Sequence, residues 1–142
     1  MTDLNLDIIR STWAQVLPIA DQAADLFYGR LFEIAPEVEP LFASTDMSAQ
    51  KGKLLSALNL AVQNADNPGA LVPVLEDMGR RHVAYGVKDE HYDAVGAALI
   101  WTLEQGLGEA FTKEARAAWT GVYGLVSGTM RRAAGEVVSS AA

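Results

Sequence analysis

Apolar residues recur along the chain at intervals of three and four positions, the spacing that puts side chains on one face of an α-helix. In the first such stretch, residues 6–17, the side chains of Ile9, Trp13 and Val16 share a face, and Pro18 stands where this helix is expected to end. The sequence shows no alternation of apolar and polar residues of the kind typical of a half-buried strand. The pattern therefore predicts helices.

The same spacing continues through the rest of the chain and is interrupted by residues that break helices. Asn67-Pro68-Gly69, Gly86, Gly106 and Gly108 mark helix ends, because glycine and proline disfavour a helix interior. The stretches predicted to be helical after the first are 19–34, a short segment at 36–42, one that includes 54–62, and then 71–82, 92–103 and 115–130.

Three polar residues are predicted to cap helix N-termini. Ser48 would end a loop at 43–48, Asp89 would precede the fifth helix, and Thr112 would precede the last, where Glu114 complements the helix dipole.

The predicted fold is all-α, a single domain over residues 1–142 with about six main helices and a short one. Its last residues, 135–142, are small and polar, and we expect them to fray. A chain of this length can bury a sizeable core without covalent cross-links.

Composition narrows the chemistry that this domain can carry. The chain has no cysteine, which excludes disulfides, thiolate metal sites, cysteine nucleophiles and thioether attachment of a haem or bilin. Only two histidines, His82 and His91, remain for transition-metal chemistry. The net charge of −7 disfavours nucleic acid and anionic membranes as partners. With no signal segment and no apolar stretch long enough to span a bilayer, the expected location is the cytoplasm.

His82 is the main candidate for chemistry because it continues the apolar face formed by Leu71, Leu75 and Met78. A histidine on such a face is more often a hydrogen-bonded core residue than a ligand. Arg80 and Arg81 immediately precede it, so the helical turn that directs the imidazole inward also presents cations at its edge. That combination suits a buried cofactor with an apolar disc and acidic side chains.

Two further residues, Tyr28 and Gln50, are weaker candidates. Tyr28 lies in an apolar run where a tyrosine hydroxyl is usually satisfied locally, and Gln50 alone would be assigned to a helix surface. The chain has no glycine-rich phosphate loop, no local serine-nucleophile signature and no paired-histidine zinc motif, so hydrolase chemistry has little support.

Taken together, these residues resemble the globin family, and specifically bacterial single-domain haemoglobins of the flavohaemoglobin-like lineage. The resemblance runs from Trp13 to about Met130. It is carried by Leu26-Phe27-Tyr28-Gly29-Arg30-Leu31-Phe32, by a proline six residues before Phe42, by Arg81-His82-Val83-Ala84-Tyr85-Gly86-Val87, by His91-Tyr92, and by Ala118-Trp119 with Tyr123-Gly124.

The resemblance implies a globin fold around haem b, bound without a covalent link, and assigns a role to each matching residue. His82 is similar to the proximal ligand of the haem iron, and Phe42 to the phenylalanine that packs on the porphyrin. Tyr28 and Gln50 resemble the pair that faces the open iron site. The remaining matches are Leu54 above the iron, Met78 on the proximal face, and Lys53 and Arg81 as partners of the haem propionates.

Three functions follow as alternatives from this resemblance. The first is reversible binding of oxygen, with carbon monoxide and nitric oxide as further ligands, for oxygen delivery or for nitric oxide detoxification with an external reductase. The second is a haem-based sensor or electron-transfer module, and the third is a haem-free globin-like protein. The third gives no reason to retain His82, Phe42, Tyr28 and Gln50 together.

One position departs from the family pattern. In flavohaemoglobin-like proteins a tyrosine ten residues after the proximal histidine joins a glutamate on the last helix to polarise the imidazole. Tyr92 is present, but Ala134 aligns with the glutamate, and Glu136 is two residues away on a different face. This disfavours peroxidase-like chemistry. The second histidine, His91, is expected to face solvent at the start of a helix.

Overall fold

The computed structural model describes residues 6–42, 45–84, 88 and 90–141, without the side chains of 68, 83, 84 and 136–141. Within these residues there are six α-helices and no strand, which confirms the all-α prediction. The helices are α1 (Leu6–Val16), α2 (Ala20–Ile34), α3 (Met47–Gln63), α4 (Pro68–Ala84), α5 (His91–Leu107) and α6 (Lys113–Ala141), with short 3-10 helices at Leu17–Ile19, Pro36–Phe42 and Gly108–Ala110.

Helix boundaries follow the local sequence signals at most positions. Helix α1 ends at Val16, and Pro18 lies in the 3-10 turn that leads into α2. The hydroxyl of Thr112 accepts the backbone N–H of Ala115 at 3.1 Å, so the predicted cap of α6 is confirmed. The predicted cap Asp89 and the predicted helix end Gly86 lie outside the described residues.

The predicted cap of α3 is wrong by two residues. Helix α3 begins at Met47, and its N-cap is Asp46, whose carboxylate accepts the N–H of Ser48 at 3.0 Å. The backbone of Asp46 is extended, with ψ of 106°, which directs its carboxylate towards the first turn. Ser48 therefore lies inside the first turn as a hydrogen-bond donor.

Helix α6 is continuous to Ala141, so the backbone of the predicted tail at 135–142 is helical up to that residue. Whether this end frays in solution stays a prediction, as does the single-domain organisation. None of the helices in the described ranges is long and apolar enough to cross a membrane.

Two buried clusters form the core. The larger one contains Ile9, Trp13, Phe27, Val62, Leu99 and Trp119, and therefore joins α1, α2, α3, α5 and α6. The smaller one consists of Leu71, Leu75, Tyr92 and Met130, and joins α4 to α5 and α6. Val126 packs against both clusters.

Two tryptophans fasten the larger cluster by hydrogen bonds as well as by packing. The Trp13 and Trp119 rings lie 6.1 Å apart, centroid to centroid. The indole N–H of Trp13 donates to the Asn59 side-chain oxygen at 3.0 Å, and that of Trp119 donates to the Thr12 hydroxyl at 2.8 Å. Both polar atoms are thus satisfied inside the core, and α1 is bonded to α3 and to α6.

Helices α4 and α6 approach each other at backbone contact. A Cβ placed on Gly79 would lie 2.3 Å from the carbonyl oxygen of Met130, which is closer than any real side chain comes. Glycine is required at this crossing because only hydrogen fits between the helices. The crossing fixes the helix that carries His82, three residues further along α4.

Candidate functional site

Three residues that the family resemblance assigns to the cofactor site come together around one side chain: Tyr28 contacts both Phe42 and Gln50. Tyr28 lies near the middle of α2 and is only 5% exposed. Its ring meets the Phe42 ring edge-on at 5.7 Å between centroids and the Phe32 ring at 6.1 Å. The Gln50 side-chain N–H, on the first turns of α3, donates to the Tyr28 hydroxyl at 3.2 Å.

The direction of that hydrogen bond decides what Tyr28 can do. Because the Tyr28 oxygen accepts from Gln50, its own O–H proton is available to donate. Burial raises the pKa of Tyr28 above its usual value of 10, while the bond from Gln50 lowers it in part. The phenol is therefore protonated at neutral pH, and a bond from Gln50 strengthens it as a donor.

Leu54 lies one turn beyond Gln50 on α3 and packs, partly buried, against the core cluster that contains Tyr28. Lys53 is exposed on the same helix. The structure thus places Leu54 with the apolar interior and Lys53 at the solvent edge, as their predicted roles require, but the roles themselves stay predictions.

The second group of predicted residues lies on α4. The His82 Nδ1 is 2.6 Å from the carbonyl oxygen of Met78, one turn earlier on the same helix. A carbonyl can only accept, so Nδ1 carries the proton and the lone pair lies on Nε2. The Met78 side chain packs, partly buried, against the smaller core cluster.

His82 is held in its neutral form. Burial lowers the pKa of His82 below its usual 6.5, the bond to the Met78 carbonyl raises it, and the charge of Arg81 lowers it. Arg81 itself is more than half exposed and forms an ion pair with Asp77 at 2.7 Å. A neutral imidazole with a fixed tautomer is the form that binds a metal ion.

The two groups belong to different core clusters, and α3 and α6 connect them. Leu54 and Leu58 of α3 pack against the larger cluster, whereas Leu60 packs against the smaller one. Val126 of α6 contacts both.

His91 is not where the sequence predicted it. It was expected to face solvent, but it is only 6% exposed. Its ring nitrogen Nδ1 accepts a hydrogen bond from the backbone N–H of Lys88 at 3.0 Å, and the backbone N–H of His91 donates to the Lys88 carbonyl at 3.0 Å. The imidazole therefore closes the turn that precedes α5, and this capping bond is the reason for its burial.

Tyr92 lies beside His82 and is contacted by two residues of α6, Arg131, which sequence reasoning missed, and Tyr123, to which it gave no role at the site. Its ring centroid is 6.5 Å from that of His82. The guanidinium carbon of Arg131 is 5.3 Å from the Tyr92 ring centroid, and the Tyr123 hydroxyl donates to the Tyr92 carbonyl at 2.5 Å. Burial raises the pKa of Tyr123 far above its usual value, so this phenol stays a donor.

No sequence signal of the kinds used above marks Arg131, which is 39 positions from Tyr92. Ala134, the residue aligned with the family glutamate, is half-buried on α6, and the side chain of Glu136 lies outside the described residues.

Comparison with known proteins agrees with this arrangement. Residues 25–130 match the model of the globin family. The chain is 32% identical over 124 residues to a flavohemoprotein of Bacillus subtilis and 31% identical over 128 residues to one of Xylella fastidiosa. These matches cover 86% and 89% of this chain but only 31% and 32% of the relatives, so the chain spans about a third of their length.

Solved structures show the same fold. A bacterial globin from Campylobacter jejuni superposes with a TM-score of 0.83 at 24% identity, over 94% of this chain and 96% of that one. A hexacoordinated heme protein from an anhydrobiotic tardigrade gives a TM-score of 0.82 at 17% identity, over 94% and 95%. At these identities the likeness establishes the fold, and the match to the family model covers most of the chain. The chain belongs to the globin family.

Proposed function

We propose that this chain binds haem b without a covalent link through Nε2 of His82, and that it reversibly binds oxygen and other diatomic gases in the cytoplasm. The observation that carries the proposal is the 2.6 Å contact between His82 Nδ1 and the Met78 carbonyl. It gives a neutral imidazole with its lone pair on Nε2, which is what an axial iron ligand requires.

The residues around His82 and Tyr28 fit this cofactor. The chain supplies one oriented nitrogen ligand, aromatic and aliphatic side chains for the porphyrin faces, and no cysteine for covalent attachment. When bound, haem would supply an iron atom that can hold a diatomic gas. Phe42 would pack on the ring, and Lys53 and Arg81 would stay at the edge, near the propionates.

Tyr28 and Gln50 would set the residence time of the gas. Tyr28 would offer an O–H donor, itself supported by Gln50, to a gas that draws negative charge, as oxygen does. Hydrogen bonds to a charged acceptor contribute about 1.5–3 kcal/mol, so we expect tight oxygen binding and slow release. Carbon monoxide gains less charge and should benefit less.

Detoxification of nitric oxide is the second candidate use of the same site. It is favoured by the similarity to flavohemoproteins, of which this chain matches about a third. That use would need electrons from an external reductase. Nitrate formation from nitric oxide by the oxygen-loaded, purified chain, followed by its return to the ferrous form with an added reductase, would support this candidate.

The test of haem and gas binding compares two histidine variants. The wild-type chain should take up one haem per chain and show a Soret band that shifts when carbon monoxide is added to the reduced form. His82→Ala should abolish tight haem retention, measured by transfer of haem to a competing apo-globin, whereas His91→Ala should retain it. A wild-type chain that folds but takes up no haem, or an unaltered retention in His82→Ala, would refute the proposal.

A further inference from the structure

The proximal side of the site carries a cation that neither the family match nor the sequence pattern assigns. Arg131 of α6 stacks on Tyr92, with 5.3 Å between the guanidinium carbon and the ring centroid. The Tyr92 ring in turn lies 6.5 Å from the His82 ring. These two distances place the guanidinium within about 12 Å of the imidazole centroid.

Arg131 is held in this place from two sides. Its Nη2 lies 2.8 Å from the Asp93 carboxylate, one residue after Tyr92 on α5. The Arg131 side chain is 29% exposed, whereas that of Asp93 is 80% exposed. Water therefore screens the carboxylate more strongly than the guanidinium, and the positive charge acts more strongly on the interior.

We propose that Arg131 is a positioning and charge-tuning residue that raises the reduction potential of the haem iron and so favours the ferrous, gas-binding state. The inference rests on the proposed function. Ferric haem carries one more positive charge than ferrous haem, and a nearby guanidinium disfavours the ferric form. An anionic glutamate beside the imidazole would act in the opposite direction, and Ala134 aligns with that position.

The size of the effect follows from the distance. At an effective dielectric constant of about 20, a full charge acting over about 12 Å, the distance from the guanidinium to the imidazole that would hold the iron, changes the ferric-to-ferrous equilibrium by roughly tenfold. Partial compensation by Asp93 and by water reduces this to about threefold to tenfold. For a one-electron couple, tenfold corresponds to about 59 mV, so the expected shift is roughly 30–60 mV.

Tyr123 contributes to the same arrangement without carrying charge. Its hydroxyl donates to the Tyr92 carbonyl, and its ring packs against α5 at Gly96, where a Cβ would lie 2.7 Å from the ring. Helix α6 therefore holds the start of α5 by a hydrogen bond from the Tyr123 hydroxyl to the Tyr92 backbone carbonyl, and it holds the Tyr92 ring through Arg131. Both contacts keep Tyr92 next to His82.

The experiment measures the ferric/ferrous midpoint potential of the haem-loaded chain in four variants. Arg131→Met removes the charge and should lower the potential by roughly 30–60 mV. Arg131→Lys keeps a cation near the ring and should restore most of the loss. Asp93→Asn removes the opposing charge and should raise the potential by a smaller amount. Arg132→Met is the matched control, since Arg132 is 61% exposed on the same helix, and it should leave the potential unchanged.

A charge effect is distinguished from a packing effect by the direction in which Arg131→Met and Asp93→Asn shift the midpoint potential, because a charge effect requires opposite directions. Loss of Arg131 and loss of Asp93 break the same ion pair, so a purely structural role would move the potential in the same direction in both. That result, or shifts no larger than that of Arg132→Met, would overturn the inference and leave haem and gas binding untouched. Asp93→Asn changes an exposed side chain, so it gives a reading even where Arg131→Met is poorly folded.

Discussion

Replacing Tyr28 by phenylalanine tests most directly whether the Tyr28 hydroxyl donates a hydrogen bond to the bound gas. The change deletes one oxygen atom and leaves the ring, which packs on Phe32 and Phe42. The deleted hydroxyl accepts from Gln50 at 3.2 Å and is proposed to donate to the bound gas. The variant therefore removes one donor from the gas ligand while it keeps the shape of the site.

The expected magnitude follows from the charge on the acceptor. A hydrogen bond to a charged acceptor contributes about 1.5–3 kcal/mol, and each 1.4 kcal/mol is a factor of ten, so oxygen release should become roughly ten- to hundredfold faster. Carbon monoxide release should change much less. The stability of the folded chain should change by less than about 1 kcal/mol, since Gln50 is only half-buried and can turn to water.

Stopped-flow displacement of oxygen by carbon monoxide gives the release rate. Thr129→Val is the matched control, because it deletes a buried hydroxyl that donates only to the Leu125 carbonyl of its own helix. Oxygen release at the wild-type rate in Tyr28→Phe would refute the assignment of Tyr28 as a donor. An equal acceleration of oxygen and carbon monoxide would point instead to a change of shape.

Three further predictions concern the helix that carries His82 and the turn that follows it. Gly79→Ala should destabilise the chain by about 1–3 kcal/mol in urea unfolding, because its Cβ would meet the Met130 carbonyl. The control Gly128→Ala, whose Cβ would have nothing within 4 Å, should be neutral or stabilising. Equal effects of the two substitutions would contradict the close crossing of α4 and α6. His91→Ala should cost about 1–2 kcal/mol in the same assay through loss of its bond to the backbone before α5, and an unchanged stability would contradict its capping role. Burial lowers the pKa of His82, so the unfolded chain binds a proton at this residue more readily than the folded chain, and the folded chain loses stability as the pH falls below 6.5. The free energy of unfolding of the haem-free chain, measured from pH 7.5 to 5, should therefore depend less on pH in His82→Gln than in the wild type. Parallel curves for the two chains would contradict the lowered pKa.

The helices and the proximal face were predictable because both depend on short-range spacing. Leu71, Leu75, Met78 and His82 are three or four residues apart, so their side chains lie on one face of a helix wherever that helix packs in the fold. The choice between Asp46 and Ser48 as the cap of α3 was not predictable in this way. Both residue types cap helices, and the extended backbone at Asp46 decides between them.

The spacing of apolar residues along the chain could not predict contacts between residues that are far apart in sequence. His91 was predicted to be exposed because it starts a helix, and its burial depends on the path of the turn before it. Arg131 meets Tyr92 only because α6 crosses α4 and α5 at a particular place, which the glycines at 79 and 96 allow. A contact between residues this far apart in sequence depends on packing and not on local spacing.

The uneven division of the core has a consequence for how the cofactor would leave. The Tyr28 side is part of the larger cluster and is braced by the two tryptophan hydrogen bonds, whereas α4 packs on the smaller cluster, crosses α6 at Gly79 and contains Pro73 in its interior. Local opening begins where fewest apolar contacts must be broken. The route of haem exchange would therefore run through a transient separation of α4, together with the part of α6 that it crosses at Gly79, from the Tyr28 side of the site, which remains folded.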